Sequence, residues 1–159
     1  MRIVLARVED AEALTDLHLD VWDEAYAGLV APATLARRRD ERAERIAGWQ
    51  QMIGDDATVE LLAVDGAGGL VGFSCTRTAA EPHDDLPPLE LMALYVRASS
   101  YGSGVGYALL TAALGNADAR LWVLDGNERA TRFYERQGFV LDGVTQDSDG
   151  RLERRMVRR

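Results

Sequence analysis

The sequence predicts an α/β fold, a mixed and largely antiparallel sheet of about seven strands with helices on both faces, in the order β-α-α-β-β-β-α-β-α-β-β. Two observations carry this. Short apolar runs rich in β-branched residues alternate with longer segments whose apolar residues return at helical spacing. Turn-forming clusters also join neighbouring strand patterns in the middle and at the end of the chain, which pairs those strands antiparallel. At 159 residues one domain, residues 1–159, is expected, able to bury about 68–70% of its unfolded surface.

Ile3 to Val8 reads as the first strand. Glu9-Asp10 then opens a helix whose apolar positions Leu14, Leu17, Val21, Trp22 and Ala25 follow helical spacing. His18, one turn before Trp22, reads as a packed histidine rather than a base. Tyr26-Ala27-Gly28 breaks the pattern, and Pro32 suits the first turn of a second helix running to about Ile53, with an arginine-rich polar face. Thr58 to Val64 and Leu70 to Ala79 are strand patterns joined by a glycine-rich hairpin turn at residues 65–69. Glu81 to Pro88 is a loop, because three prolines and two aspartates deny both ladder and helix. Leu89 to Val96 reads as a buried central strand. Glycines then turn it into a helix from about Gly104 to Leu114, stopped by Gly115. Leu121 to Leu124 forms another buried strand. Asn127 is a good N-cap for a short helix presenting Ala130, Phe133, Tyr134 and Gln137 and ending at Gly138. Phe139 to Thr145 and Leu152 to Val157 close the chain as a terminal pair, the basic run Arg151 to Arg159 alternating as an edge strand would.

Composition narrows the function classes. The chain is 47% hydrophobic and 28% charged, an ordinary globular balance. Its net charge of −8 argues against a general affinity for nucleic acid, which needs clustered cations to neutralise phosphates. No signal-peptide pattern or membrane-length apolar run is seen, so a cytoplasmic protein without membrane partners is expected. The one cysteine, Cys75, sits in a strand pattern and reads as a small buried hydrophobe. No cluster of metal-ligating residues is present, and no metal is expected.

The stretch LELMALYVRASSYGSGVGYALL, from Leu89 to Leu110, points to chemistry. Strand, glycine turn and helix make an anion site, because the first amides of a helix lack intrahelical partners and carry the positive end of its dipole. A Walker loop would end in Gly-Lys-Ser/Thr, whereas this turn ends in Gly106-Tyr107-Ala108. A dinucleotide fingerprint would read GxGxxG near the start of a parallel sheet, whereas GxGxG stands here, late in the chain. A glycine-rich turn with no ligand is the remaining bland reading.

This stretch resembles the acyl-CoA pyrophosphate loop of the GNAT superfamily of N-acyltransferases. That family's loop commonly carries Arg or Gln before the glycines and a basic residue between the first two. Tyr101 and Ser103 stand at those positions here, so backbone amides of residues 101–106 would hold the pyrophosphate, with Arg97 a candidate substitute cation. A second match, LWVLDGNERATRFYERQGF, resembles the GNAT segment in which an asparagine contacts the cofactor and a tyrosine faces the thiol. WDEAYAGLV looks like the acceptor-side helix-loop-helix of a subset of the family.

The resemblance implies an N-acetyltransferase that takes acetyl-CoA as co-substrate and an amine as acceptor. Cofactor contacts would come from Leu94, Tyr95 and Val96, whose strand splays from its neighbour so that Leu94 and Val96 pair with pantetheine like a missing strand. Tyr101, Gly102, Ser103, Gly104, Val105, Gly106 and Asn127 complete the set. Tyr134 is the candidate acid for the leaving thiolate. Glu90 and Asp125 are the candidate bases, directly or through water. The acceptor could be an antibiotic, a polyamine, an amino acid or a protein amine. The acidic balance, with Glu81, Asp84, Asp85 and Glu90 around the expected cleft mouth, suggests a cationic one. His83 lies in the same loop. Homodimers are frequent in the family. The alternative of a different class is a silent acyl-CoA-binding sensor or assembly module of the same fold.

Overall fold

The computed structural model describes residues 1–79 and 85–159. Its strands are β1 (Arg2–Leu5), β2 (Thr58–Val64), β3 (Leu70–Thr78), β4 (Leu89–Val96), β5 (Ala119–Leu124), β6 (Val140–Ser148) and β7 (Arg151–Arg158). They form one sheet in the order β1-β2-β3-β4-β5-β7-β6. Neighbours are antiparallel except β4 and β5, which run parallel. The helices are α1 (Ala11–Tyr26), α2 (Pro32–Asp40), α3 (Arg42–Ile53), α4 (Val105–Leu114) and α5 (Glu128–Glu135).

Both faces of the sheet are covered, and β2 shows why. Its residues Leu61 to Val64 are all buried, as expected of a strand with helices on each side. Leu62 joins Phe73 and Cys75 beneath Leu14, Leu17 and Val21 of α1 and Trp49 of α3. Leu61 and Ala63 face the other way, onto Val105 and Leu109 of α4. A third cluster joins α4 to α5 and the C-terminal strands through Leu110, Leu114, Leu121, Tyr134, Phe139 and Met156. Gly72 on β3 lets these layers close: a Cβ there would lie 2.7 Å from the carbonyl oxygen of Tyr95.

Four expectations change. The helix expected over 32–53 is two helices, broken at Glu41, whose φ and ψ are −86° and 22°. At the break the Arg45 guanidinium donates to the carbonyl of Arg38 at 3.1 Å, so the bend leaves that acceptor satisfied. The arginine-rich face is not simply solvated: Arg39 reaches Asp20 and Asp23, and Arg42 reaches Glu12 and Asp16, all on α1. The basic strand β7 is interior, between β5 and β6, and β6 is the edge. Its charges are carried within the sheet by pairing, Arg154 with Asp125 and Arg155 with Asp142. The first strand is shorter than expected, ending at Leu5, with a 3₁₀ turn over Val8–Asp10 leading into α1.

Candidate active site

β4 and β5 pair only at Glu90↔Arg120 and Leu91↔Leu121. Beyond that point they diverge, and the gap opens into a cleft of about 450 Å³. One wall is β4 from Leu91 to Val96, the other is β5 from Trp122 to Leu124 with α5, and the glycine turn closes one end. Parallel strands that separate at their C-terminal ends place the chemistry where a ligand can substitute for the missing ladder.

The turn leaves a row of backbone amides without partners. Gly102 and Gly104 take φ of 75° and 88°, a region that costs an L-residue roughly 1–2 kcal/mol. Gly104 caps α4 in the left-handed conformation, and nothing lies within 4 Å of where its Cβ would be. The space above it is open. Among the described residues, the amides of Gly102 and of Gly104 through Tyr107 have no backbone acceptor, so they point their positive ends at that space. Ser103 is turned away: its hydroxyl donates to the carbonyl of Ser100 at 2.6 Å and tightens the loop.

The side-chain cation at this end is Arg129, two residues past the α5 cap. Its guanidinium stacks 3.7 Å from the centre of the Tyr101 ring, and both residues line the cleft. Arg97 does not serve this role, because it is bound to Asp20 and Glu24 of α1 at 2.7 and 3.0 Å. An arginine spaced after a helix cap was visible in the sequence, but its stacking on an aromatic 28 positions earlier was not.

Asn127 caps α5 by accepting from the amide of Ala130 at 3.2 Å. That bond uses only the carboxamide oxygen, so the amide nitrogen is left to donate into the cleft that Asn127 lines. Tyr134, two turns on, also lines the cleft and is 8% exposed. Phe133 and Phe139 hold its ring edge-on at 5.2 and 5.8 Å. Burial, with the nearby Tyr26 hydroxyl, pushes the Tyr134 phenol well above its ordinary pKa, so it keeps its proton at neutral pH.

The two carboxylates expected as bases stand elsewhere. Glu90 lies at the closed, paired end of β4, where Arg120 donates to it at 3.0 Å. Asp125 is half exposed and faces Arg154 at 3.6 Å. Neither lines the cleft. Of the acidic loop, Glu81, His83 and Asp84 lie outside the described residues, and Asp85 is exposed. No group of three or more metal-ligating side chains occurs among the described residues, and no described helix is long and apolar enough to cross a membrane.

The other end of the cleft includes Tyr26 of the WDEAYAGLV segment, but its pairing with Tyr95 was not legible in the sequence. Tyr26, from the end of α1, and Tyr95 line this end. Their hydroxyls lie 3.0 Å apart, and Trp22 Nε1 donates to the Tyr95 hydroxyl at 3.0 Å. Behind them His18 packs against Trp22, Trp49, Phe73 and Tyr95. Desolvation first, then Arg38 and Arg45, push its pKa down to about 3. His18 is therefore a neutral, packed side chain. Cys75 is buried too, its thiol driven up by burial and by Glu60, which leaves no thiolate for nucleophilic work.

The family model of the acetyltransferase (GNAT) domain matches residues 55–141, more than half of the chain. The chain belongs to the GNAT acetyltransferases. The match begins just before β2 and runs through the glycine turn, Asn127 and Tyr134. Relatives agree. The probable N-acetyltransferase Rv2775 of Mycobacterium tuberculosis is 27% identical over 157 residues, 91% of this chain and 83% of that protein. A mycothiol acetyltransferase of Propionibacterium freudenreichii is 44% identical over 85 residues, which span half of this chain and 27% of that protein. Among solved structures, the PaiA N-acetyltransferase of Thermoplasma acidophilum in complex with coenzyme A covers 100% of this chain and 99% of its own, at 22% identity and a TM-score of 0.76.

Proposed function

We propose that this GNAT enzyme moves the acetyl group of acetyl-CoA to an amine held between α1 and β4, with Tyr134 as the acid. The observation that carries the reading is the cleft itself. An anion-binding helix start, a free asparagine donor and a protonated tyrosine follow one another along a gap between two splayed parallel strands. The diphosphate would rest on the amides of residues 102–107 with Arg129 at its side, and the pantetheine arm would run along Leu94 and Val96 past Asn127.

The amine nitrogen attacks the thioester carbonyl carbon. As the C–N bond forms, the amine's proton leaves to water, because no carboxylate or histidine among the described residues lines the cleft. The C–S bond then breaks, and the Tyr134 hydroxyl gives its proton to the departing thiolate. Positioning the two reactants supplies most of the acceleration. Without a strong base, the fraction of neutral amine limits attack, so kcat/KM is expected to rise with pH towards the pKa of the acceptor. The exposed edge strand β6, with Val140 at 63% exposure, is the surface on which a homodimer would be sought by sedimentation.

The test is thiol release from acetyl-CoA over a panel of amines, with the product identified by mass. Acetylated amine formed one-to-one with free thiol is the expected result. Tight CoA binding with no product from any amine would favour the silent acyl-CoA sensor, which the cleft's anion site would serve equally well.

A further inference from the structure

Arg38 occupies an unusual position. Its guanidinium carbon lies 3.6 Å from the centre of the Trp22 ring, and Trp22 in turn donates to the hydroxyl of Tyr95, a cleft residue. Its Nε is buried with no hydrogen-bond partner, and one terminal nitrogen meets only His18 Nε2, at 3.5 Å. The charges that act on it are two more guanidiniums, Arg45 and Arg151, and the two tyrosine hydroxyls. Arg151 itself lies 5.1 Å from the same indole.

Among the described residues no carboxylate pairs with Arg38, although Arg45 is held by Glu41 and Arg151 is approached by Asp149. Glu41 is committed to Arg37 and Arg45, and Glu153 accepts from Gln146 at 2.7 Å. Asp149 touches Arg151 only at 3.6 Å and from solvent. The neighbouring arginines of α2 and α3 behave differently: Arg39 and Arg42 each hold two carboxylates. In a protein with net charge −8, converging cations with an orphaned buried donor are a feature that folding alone does not favour. Desolvation and the like charges lower the pKa of Arg38 to about 10, a further sign that the guanidinium lacks a counter-ion.

We propose that the acceptor amine carries an anionic group, a carboxylate or a phosphate, and that Arg38, backed by Arg151, receives it at the α1–α2 end of the cleft. The assignment rests on the acyl-transfer reading and names its substrate class. An amine bearing such a group would place its nitrogen beside Tyr26 and Tyr95 while its charge reaches the guanidinium, which can offer two parallel N–H donors. The carboxylate that acts on the Tyr26 hydroxyl at this end, Glu153, is engaged by Gln146.

Matched amines that differ only in the anionic group test this: an amino acid against its primary amide, and an aminoalkyl phosphate against the corresponding amino alcohol. The charged member of at least one pair is expected to show the higher kcat/KM, and the two pairs distinguish carboxylate from phosphate. Arg38→Met is expected to raise KM for that acceptor about 10–100-fold, with a much smaller change in kcat, so that its advantage over the neutral twin collapses. Arg38→Lys should restore part of it. Turnover that favours neutral or cationic amines, with both variants indifferent, would overturn the anion site and leave acetyl transfer standing. If no amine is turned over, acetyl transfer fails, and the anion site is decided by titrating acetate and inorganic phosphate into the CoA-saturated protein while following tryptophan fluorescence. A response lost in Arg38→Met supports it, and no response to either anion overturns it.

Discussion

The two ends of the cleft are built from different materials. The end proposed for the cofactor is mostly backbone: amides of a glycine turn, the start of one helix, and an asparagine that caps another. The end proposed for the acceptor is side chain: Tyr26 and Tyr95 line it, Arg38 stacks on Trp22, and the Trp22–Tyr95 hydrogen bond spans 73 positions of sequence. On the proposed reading the amides would recognise a diphosphate that every acetyl-CoA brings, so their spacing can stay the same whatever the acceptor. Side chains recognise the variable partner, so acceptor choice resides in residues that no short motif links.

Damage to the cofactor end should be the more severe. Gly104→Val forces a β-branched residue into φ of 88° and fills the open space above the turn, so CoA affinity measured by calorimetry is expected to fall more than about 100-fold. Undiminished affinity would remove the glycine turn from the binding site.

At the acceptor end the packed histidine gives a stability signature. Folded His18 stays neutral down to about pH 3, whereas in the unfolded chain it takes up a proton near pH 6.5. The unfolded state therefore binds the extra proton, and stability is lost as pH falls below about 6.5, by at most about 1.4 kcal/mol per pH unit. Urea denaturation at pH 7.5 and 5.5 measures this slope, and His18→Phe should flatten it. An equal slope in the variant would show that His18 is accessible to solvent.

Arg129 tests how far the cofactor end depends on side chains at all. Arg129→Ala should weaken CoA binding about 3–10-fold and reduce its salt dependence, since only one exposed cation is lost. A loss as large as that of Gly104→Val would mean that the backbone is the minor contributor.

The same contrast explains what could be read from sequence. Gly104, Asn127 and Tyr134 sit in local strand-turn-helix segments whose spacing is preserved when the chain folds, so their shared cleft could be expected. Glu90 could not be placed that way. It lies on the right strand, but whether a residue stands at the open or closed end depends on where β4 and β5 stop pairing, a long-range property. Arg97 and Arg129 exchange roles for a similar reason, since α1 supplies the carboxylates that hold Arg97. β7 has the alternating charge of an edge strand, yet β6 folds outside it because partners such as Asp142 and Asp125 lie close enough to pair with its arginines.

Tyr134 lines the cleft, and its conversion to phenylalanine tests most directly the proposal that thioester and amine react beside it. The ring should keep its packing against Phe133 and Phe139, and CoA affinity should be unchanged. With the proton donor gone, kcat is expected to fall about 10²-fold at pH 7, with a smaller loss at high pH, where a thiolate of pKa near 8.5 leaves unaided. A phenylalanine variant that binds CoA and retains wild-type kcat from pH 6 to 9 would contradict the account and leave water as the acid.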